Sequence, residues 1–172
     1  MTTTVLILSD THLGPATLDR MPAEVWSLAS AADLVLHGGD VVHPCVLDAL
    51  REHAEVVAVL GNNDRGLERV LPEVAELEVE GVRIGMVHDS GARAGRERRM
   101  RRRFPEADVV VFGHSHDPLV QPGEEGQLLL NPGSPTQRRR QPVHTVALLD
   151  LADGEVRRAE ITPVGPLAHR AQ

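Results

Sequence analysis

Apolar runs and amphipathic stretches alternate along the first third of the chain. The residues from Thr4 to Leu8 form a continuous apolar, β-branched run, which is typical of a strand buried on both faces. A helical segment, a second short run, a second helical segment and a third run follow, at Pro22–Ala31, Leu34–Leu36, Pro44–His53 and Val56–Leu60. This order of strand, helix, strand, helix, strand predicts a parallel α/β sheet with right-handed crossovers.

The hydrophobic pattern changes after Pro72. Val74–Val79 alternates and Val82–Val87 follows a Glu80-Gly81 turn, so the pair predicts an antiparallel hairpin. An Arg-rich helix near Gly95–Phe104 then leads to an apolar strand at Asp108–Phe112. The last segments, split by Pro and Gly, are Leu119–Val120, Gln127–Leu130, His144–Leu151 and Val156–Ile161, and they predict strands in a meander. We expect one domain over residues 1–172, with residues 163–172 as a frayed tail.

Composition places the chain among soluble globular proteins. Its 172 residues are 41% hydrophobic, which suffices for one buried core. The single cysteine, Cys45, cannot form an intramolecular disulfide, and no apolar run approaches the ~20 residues that span a bilayer. We therefore expect a cytoplasmic protein without a membrane partner. A net charge of −7 does not favour a surface devoted to nucleic acid.

Polar residues with metal-binding side chains follow successive predicted strands. They are Asp10, His12, Asp40, Asn62, His88, His114 and His116. From Asp10 through Asp40, Asn62, His88 and His114 the successive intervals are 30, 22, 26 and 26 residues, close to the ~30 residues of one strand-helix-strand step. Because ligands bind at the carboxyl ends of strands in open α/β sheets, we expect these side chains to meet at one edge of the sheet.

This set of side chains indicates a metal centre. Four imidazoles, two carboxylates and an amide oxygen suit manganese, iron, cobalt, nickel or zinc and are too rich in nitrogen for calcium or magnesium. Seven ligands are too many for one such ion, whereas two ions about 3.5–4 Å apart, bridged by a carboxylate, would use them all. With a bridging hydroxide the centre would carry about +1 and attract an anion.

The same motifs resemble those of a known family. The series Asp10-x-His12, Gly39-Asp40, Gly61-Asn62-x-Asp64, His88 and Gly113-His114-x-His116 is similar to the calcineurin-like metallophosphoesterase superfamily, and the NPGS turn at Asn131–Ser134 resembles its small stand-alone bacterial and archaeal phosphodiesterase branch. The resemblance implies a four-layer αββα sandwich of the α/β class. It also implies one ion on Asp10, His12, Asp40 and His116, and a second on Asn62, His88 and His114, bridged by Asp40.

Two positions depart from the family pattern. The residue after the metal-binding asparagine is often a histidine that can protonate the leaving group or hold a phosphate oxygen. Here it is Asn63, and an amide cannot be a general acid. The residue after His88 is usually glycine and here is Asp89. His37 and His43 flank Asp40, so each is a candidate proton donor or supporting residue, and Asp64 is a candidate to orient a ligand histidine.

The resemblance implies a phosphodiesterase that uses two divalent ions, manganese first among them, and in-line attack of a metal-bridging hydroxide on a small phosphodiester or phosphomonoester. The catalytic candidates are Asp40, Asn62, Asn63 and His37. A non-catalytic protein-binding scaffold is an alternative, because a retromer subunit shares this fold. The sequence does not decide whether the protein forms a homo-oligomer.

A nuclease that uses arginine clusters is a further alternative. The clusters are Arg96–Arg103 and Arg138–Arg140. In the first cluster Met100 and Phe104 are the apolar pair at helical spacing, so we expect its arginines to form a solvated face.

Overall fold

The computed structural model describes residues 1–165. These residues form ten strands and three α-helices, with short 3-10 segments at Pro15–Arg20 and Glu124–Gly126. In chain order the elements are β1 (Thr3–Leu8), α1 (Ala23–Ala31), β2 (Leu34–His37), α2 (Pro44–Arg51), β3 (Glu55–Ala58), β4 (Val74–Val79), β5 (Val82–Val87), α3 (Arg96–Arg103), β6 (Val109–Val111), β7 (Leu119–Pro122), β8 (Leu128–Asn131), β9 (His144–Ala152) and β10 (Glu155–Val164).

The strands form two mixed sheets of five. In the first the order is β10-β9-β1-β2-β3, and in the second it is β4-β5-β6-β8-β7. Strands β1, β2 and β3 are parallel, in register from Val5 opposite Leu34, so the predicted parallel beginning of the chain is confirmed. The antiparallel pairing of β4 with β5 confirms the predicted hairpin.

The predicted meander at the end of the chain is wrong. Strand β8 pairs antiparallel with β7 but parallel with β6 in the second sheet. Strand β9 crosses to the first sheet, where it lies between β1 and β10. The burial of β9 explains this position, because all of its residues from Thr145 to Leu149 are buried, and a strand buried on both faces belongs inside a sheet.

Three apolar clusters hold four layers together. One lies between the sheets and includes Ile7 of β1 and Met86 of β5. A second packs α1 and α2 on the outer face of the first sheet, and a third packs α3 on the outer face of the second sheet through Met100 and Phe104. The predicted αββα sandwich is therefore confirmed. Successive side chains of β1 point to opposite faces of its sheet, so Ile7 packs against the other sheet and Leu6 packs against the helices.

The end of the described chain is ordered for longer than expected. Strand β10 continues to Val164, whose side chain is buried, so the predicted fraying is wrong for residues 163 and 164. Residues 166–172 of that predicted tail lie outside the described residues. No helix within residues 1–165 has the length and apolar character needed to cross a membrane.

Candidate metal centre

The seven candidate ligands come from both sheets. Asp10, Asp40 and Asn62 follow β1, β2 and β3 of the first sheet, whereas His88 and His114 follow β5 and β6 of the second. Sequence spacing predicted one edge of one sheet. The structure instead places the candidate ligands where the ends of two facing sheets meet.

In one group of candidate ligands, three metal-binding atoms are buried without hydrogen-bond partners. We call Asp10, His12 and His116 the first half-site. His116 Nε2 lies 3.2 Å and His12 Nε2 lies 3.8 Å from Asp10 Oδ1. These three atoms are buried, and none has a hydrogen-bond partner in the described structure. His116 is held in place because its Nδ1 donates a hydrogen bond to the carbonyl oxygen of Gln137.

A second group is joined by hydrogen bonds. We call Asn62, His88 and His114 the second half-site. Asn62 Oδ1 lies 3.1 Å from His88 Nε2 and 2.9 Å from His114 Nδ1. His88 Nδ1 donates to the carbonyl oxygen of Gly38 at 2.7 Å, which leaves Nε2 facing oxygen atoms. This half-site is more open than the first, since Asn62 is exposed and His114 is half-buried.

Asp40 lies between the two half-sites. Its Oδ2 is 3.5 Å from His12 Nε2, and its Oδ1 is 3.5 Å from His88 Nε2. The backbone N–H of Asn63 donates to Oδ1 at 2.8 Å, and the Asn63 side-chain amide donates to Oδ2 at 2.6 Å. Asn63 therefore holds the carboxylate so that each oxygen faces a different half-site.

Charge and burial act against each other at these groups. Burial would raise the pKa of Asp10, but contacts with His116, His12 and Ser9 outweigh it and hold that pKa well below the ordinary range. For Asp40 burial is likewise outweighed, chiefly by hydrogen bonds from His88 and Asn63, and the pKa falls to about 2. Burial would lower the pKa of His88, yet Asp40 and Asp10 raise it. Both carboxylates are thus negative and ready to bind a cation.

The ligands follow strands but sit on strained backbone. Positive φ angles occur at Asp10 (56°), His12 (47°), Asp40 (55°), His114 (66°) and His116 (59°). Left-handed backbone is uncommon for residues other than glycine and costs of order 1–3 kcal/mol each. The surrounding structure must therefore hold these turns in place, and the strain is concentrated where the candidate ligands lie.

Asp64 is one of the residues that hold the turns. Its carboxylate accepts hydrogen bonds from the backbone N–H groups of Asp40 (3.0 Å), Val42 (2.6 Å) and Gly61 (2.7 Å). The sequence suggested that Asp64 orients a ligand histidine. The structure corrects this, because both oxygens are used to fix the backbone around Asp40.

The NPGS turn holds the other end of the site. Ser134 Oγ donates to the carbonyl oxygen of Asp10 at 2.8 Å, and Thr136 Oγ1 donates to that of Thr11 at 2.6 Å. Asn131 Nδ2 donates to the carbonyl oxygen of Gly113 at 2.9 Å. Ser134 and Thr136 were missed as supporting residues, and the position of Ser134 in the NPGS motif is the one sequence signal that points to it.

Two glycines allow the strand ends to approach one another. A Cβ on Gly61 would lie 2.1 Å from the backbone nitrogen of Asp40, and one on Gly113 would lie 1.9 Å from Ser9 Oγ. Neither space accommodates a side chain. Ser9 in turn donates to Asp10 Oδ2 at 2.6 Å, so the close approach at Gly113 helps to orient a candidate ligand.

His37 and His43 do not point into the site. His37 is fully buried, its Nδ1 accepts from the Gly39 N–H, and its Nε2 contacts Thr11 Oγ1 at 3.1 Å. Burial lowers the pKa of His37 to about 4. His43 caps helix α2 by accepting from the Cys45 N–H at 3.1 Å. A neutral, enclosed imidazole is poorly suited to donate a proton to substrate, so the geometry argues against that role for His37.

The residues present fit a divalent cation. Oxygen and nitrogen ligand atoms of Asp10, His12 and His116 lie within 4.8 Å of one another, and so do those of Asp10, Asp40 and His88. Buried carboxylate and imidazole atoms without partners are costly unless a cation is present. A metal would satisfy the three atoms that the protein leaves without hydrogen bonds.

Comparisons with known proteins find a matching family model and a similar curated protein. A model of the calcineurin-like phosphoesterase superfamily domain matches residues 3–154. A relative from Methanothermobacter thermautotrophicus, named "Probable metallophosphoesterase", is 35% identical over 161 residues, which cover 92% of this chain and 91% of the relative.

Two solved structures share the architecture. A conserved protein from Streptococcus pneumoniae, described as a predicted phosphoesterase, is 25% identical with a TM-score of 0.72, covering 96% of this chain and 94% of that one. Wild-type Vps29 from Entamoeba histolytica, complexed with Zn²⁺, is 24% identical with a TM-score of 0.70, covering 94% and 98%. The second likeness is one of fold.

Proposed function

Because this chain belongs to the calcineurin-like phosphoesterase superfamily, we propose that it is a phosphodiesterase dependent on two divalent ions. The family uses divalent metals, and this chain has the side chains to hold them. The observation that carries the proposal is the first half-site, where three buried metal-binding atoms converge without any hydrogen-bond partner. A divalent cation bound there would satisfy these three atoms.

We assign the ligands by their positions. Asp10, His12 and His116 would hold one ion with Asp40, while Asn62, His88 and His114 would hold the other with Asp40. The two oxygens of Asp40, each 3.5 Å from a histidine of a different half-site, support a bridging role. Manganese is our first choice, with cobalt, nickel, iron and zinc as alternatives, since these ions accept imidazole together with carboxylate.

The ions, when bound, would neutralise phosphate oxygens and lower the pKa of a water molecule. The protein's residues orient this chemistry. Asn63 positions Asp40 through two hydrogen bonds, and the exposed Asn62 and half-buried His114 stand at the entrance, where a phosphate ester would arrive. Water attacks phosphorus in line with the ester oxygen and releases a proton to solvent as the new P–O bond forms. The ester P–O bond breaks, and the leaving oxygen takes up a proton.

Neither Asn63 nor His37 is suited to donate the proton that the leaving oxygen takes up. Asn63 has no acidic proton, and His37 is enclosed with both ring nitrogens in contact with protein groups. We therefore propose that the leaving group departs as an anion or is protonated by solvent. Aryl phosphodiesters, whose leaving groups need no protonation, should be cleaved faster than alkyl ones.

A reconstitution experiment tests the proposed function. The protein is stripped by dialysis against chelator, supplied with manganese, cobalt, nickel, zinc or magnesium, and assayed with bis(p-nitrophenyl) phosphate and p-nitrophenyl phosphate. We expect no activity in chelator, recovery with manganese, cobalt or nickel, and faster cleavage of the diester. Activity should also fall in acid, because a protonated imidazole cannot bind a metal ion.

A pair of histidine variants provides the control. His116→Asn should abolish the recovery of activity with metal. His53→Asn, which changes an exposed histidine hydrogen-bonded to Ser30, should leave this recovery intact. Full activity in excess chelator would contradict the proposal. Absence of turnover with every metal and both substrates would favour the alternative, a non-catalytic scaffold with this fold.

A further inference from the structure

A basic groove runs along helix α3, outside the candidate metal centre. Its volume is about 680 Å³, and it is lined by Ala94, Gly95, Arg98, Arg99, Arg102 and Arg103. Four guanidinium groups therefore share one surface depression. We call it the arginine groove.

The packing of α3 explains why the arginines gather there. Met100 and Phe104 are buried beneath the helix, so the residues on its outer side project away from the core. Arg98 and Arg102 are one helical turn apart, as are Arg99 and Arg103, and residues at this spacing are neighbours on a helix surface. The apolar anchor thus presents two adjacent pairs of positive charge.

Most of this charge is not neutralised by the protein. Arg99 is fixed to backbone carbonyl oxygens, that of Ser90 at 2.8 Å and that of Ala92. Arg98, Arg102 and Arg103 are exposed, and among residues 1–165 none of them forms an ion pair with a carboxylate.

Other arginines of this chain do pair with acids. Arg83 lies 2.8 Å from Glu106, Arg157 lies 2.7 Å from Glu155, and Arg158 lies 2.8 Å from Asp150. What distinguishes the groove is that three exposed arginines without an acidic partner lie side by side in it. They are available to an anion from outside.

The arginine groove shares Arg103 with a recess beside the metal centre. A second recess of about 410 Å³ is lined by Asn62 and His88 of the second half-site and also by Arg103. Arg103 therefore borders both the groove and the recess that contains two candidate ligands. Glu73 and Asp89 line this recess as well, so attraction for an anion comes from the groove and from metal ions rather than from the recess itself.

We propose that the arginine groove binds backbone phosphates of a single-stranded oligonucleotide whose scissile diester lies at the metal centre. This proposal rests on the proposed function and names its substrate class. Arginine binds phosphate oxygens through paired N–H donors, and a row of arginines fits a chain of phosphates better than one isolated phosphate ester. The carboxylates of the centre are buried, and a flexible strand can bend toward them, whereas duplex DNA is stiff over about 50 nm.

The lining of the groove also predicts the mode of recognition. In the described structure the lining residues are arginine, alanine and glycine, without an aromatic side chain. Sequence-tolerant stacking of bases on aromatic rings is therefore not provided in the groove. Binding should depend on phosphates, change little with base sequence, and weaken steeply with salt.

A triple variant and a matched control test this proposal. The groove variant carries Arg98→Gln, Arg102→Gln and Arg103→Gln, and the control carries Arg83→Gln, Arg157→Gln and Arg158→Gln, which removes the same charge from ion-paired arginines. Fluorescence anisotropy in excess chelator measures binding of a labelled single-stranded oligonucleotide of ~12 nucleotides, within the ~4–16 nucleotides typical of single-strand sites. Cleavage of the oligonucleotide and of bis(p-nitrophenyl) phosphate is measured with manganese.

The expected result is a selective loss. For the groove variant, oligonucleotide affinity and kcat/KM should fall about tenfold or more, and the slope of log K against log salt should become shallower by about 2, as three lost phosphate contacts predict. Hydrolysis of bis(p-nitrophenyl) phosphate should stay within about threefold of wild type. The control variant should resemble wild type in both assays.

Three other results would overturn the proposal in different ways. If both variants lose affinity equally, or neither does, while bis(p-nitrophenyl) phosphate is still cleaved, the groove has no such role and the proposed function stands. If no metal restores cleavage of bis(p-nitrophenyl) phosphate, the proposed function fails and the substrate assignment fails with it. If a duplex of the same sequence is bound and cleaved as well as the single strand, the single-strand assignment is wrong.

Discussion

The two half-sites share Asp40 but differ in how the protein satisfies them. In the first half-site three buried atoms of Asp10, His12 and His116 have no hydrogen-bond partner. In the second, one oxygen of Asn62 contacts both histidines. An unsatisfied buried polar group costs about 1–3 kcal/mol, so the first half-site gains more from a cation, whereas the second must give up existing hydrogen bonds. The two proposed ions should therefore differ in affinity, with the tighter binding at the first half-site.

The largest effect is expected at the residue common to both half-sites. Asp40→Asn removes the negative charge that faces His12 and His88, so both ions should be held less tightly and kcat/KM should fall ~10³-fold, equal to about 4 kcal/mol. Metal content by mass spectrometry and turnover of bis(p-nitrophenyl) phosphate are measured together. Asp48→Asn, at an exposed position on α2, is the control. Retention of two ions with activity within about threefold would show that Asp40 is not a bridge.

Changing one histidine in each half-site tests their inequality directly. His116→Asn should remove the tighter site and reduce manganese affinity ~10²-fold, because ligand losses in metal sites commonly reach this size or more. His114→Asn should leave one ion bound with nearly wild-type affinity. Isothermal titration of the stripped protein measures both affinities. If the two variants lose the same site or the same affinity, the comparison between half-sites fails.

The free energy of unfolding should depend on pH through His37, which contacts Thr11 and Gly39 next to candidate ligands. Its pKa is lowered to about 4 from an ordinary value of 6.5, so between these values the unfolded chain holds a proton that the native protein does not. The free energy of unfolding should therefore fall as pH falls, by about 2 kcal/mol from pH 7 to pH 5. Urea unfolding in excess chelator, compared with His37→Gln, isolates this contribution. Parallel pH curves for the two proteins would contradict the assignment.

The smallest effect is expected at Asn63. Asn63→His would introduce an imidazole that can protonate a leaving group, a gain of ~10² or more for alkyl diesters. The same change gives up the amide contact with Asp40 Oδ2, and one hydrogen bond is worth up to about 1.5 kcal/mol, or ~10-fold. A net gain of ~10-fold for alkyl diesters, with little change or a small loss for aryl ones, is therefore expected. Equal effects on both substrate types would show that residue 63 does not face the leaving group.

The ligand-bearing strand ends were predictable because their chemistry is local. Asp10, Asp40 and Asn62 each follow an apolar run in the sequence, and the structure places them after β1, β2 and β3. The partition of strands between sheets was not predictable in the same way. The residues of a short apolar segment show that it is buried but not which strands it pairs with. The sequence of β9 therefore could not show that it belongs to the first sheet.

Roles that depend on backbone geometry also could not be predicted from the sequence. Asp64 accepts three backbone N–H groups, and nothing in its sequence neighbours distinguishes this from a contact with histidine. The positive φ angles at Asp10 and Asp40 were hidden for a similar reason, since glycine is the residue that usually signals such backbone. The arginines of α3 were expected to form a solvated face, and only the structure shows that Arg103 also lines the recess at Asn62.

The position of β1 has a consequence for the synthesis of the protein. This first strand lies between β2 and β9, and Thr3 pairs with Leu151, while Ser134 contacts the backbone of Asp10 across 124 residues of sequence. A ribosome synthesises a chain from the N-terminus at about 5–20 residues per second. Asp10 therefore emerges well before the segments that hold it. Metal loading should therefore occur after translation, and a chain arrested before β9 should expose an apolar strand that chaperones recognise rather than a working site.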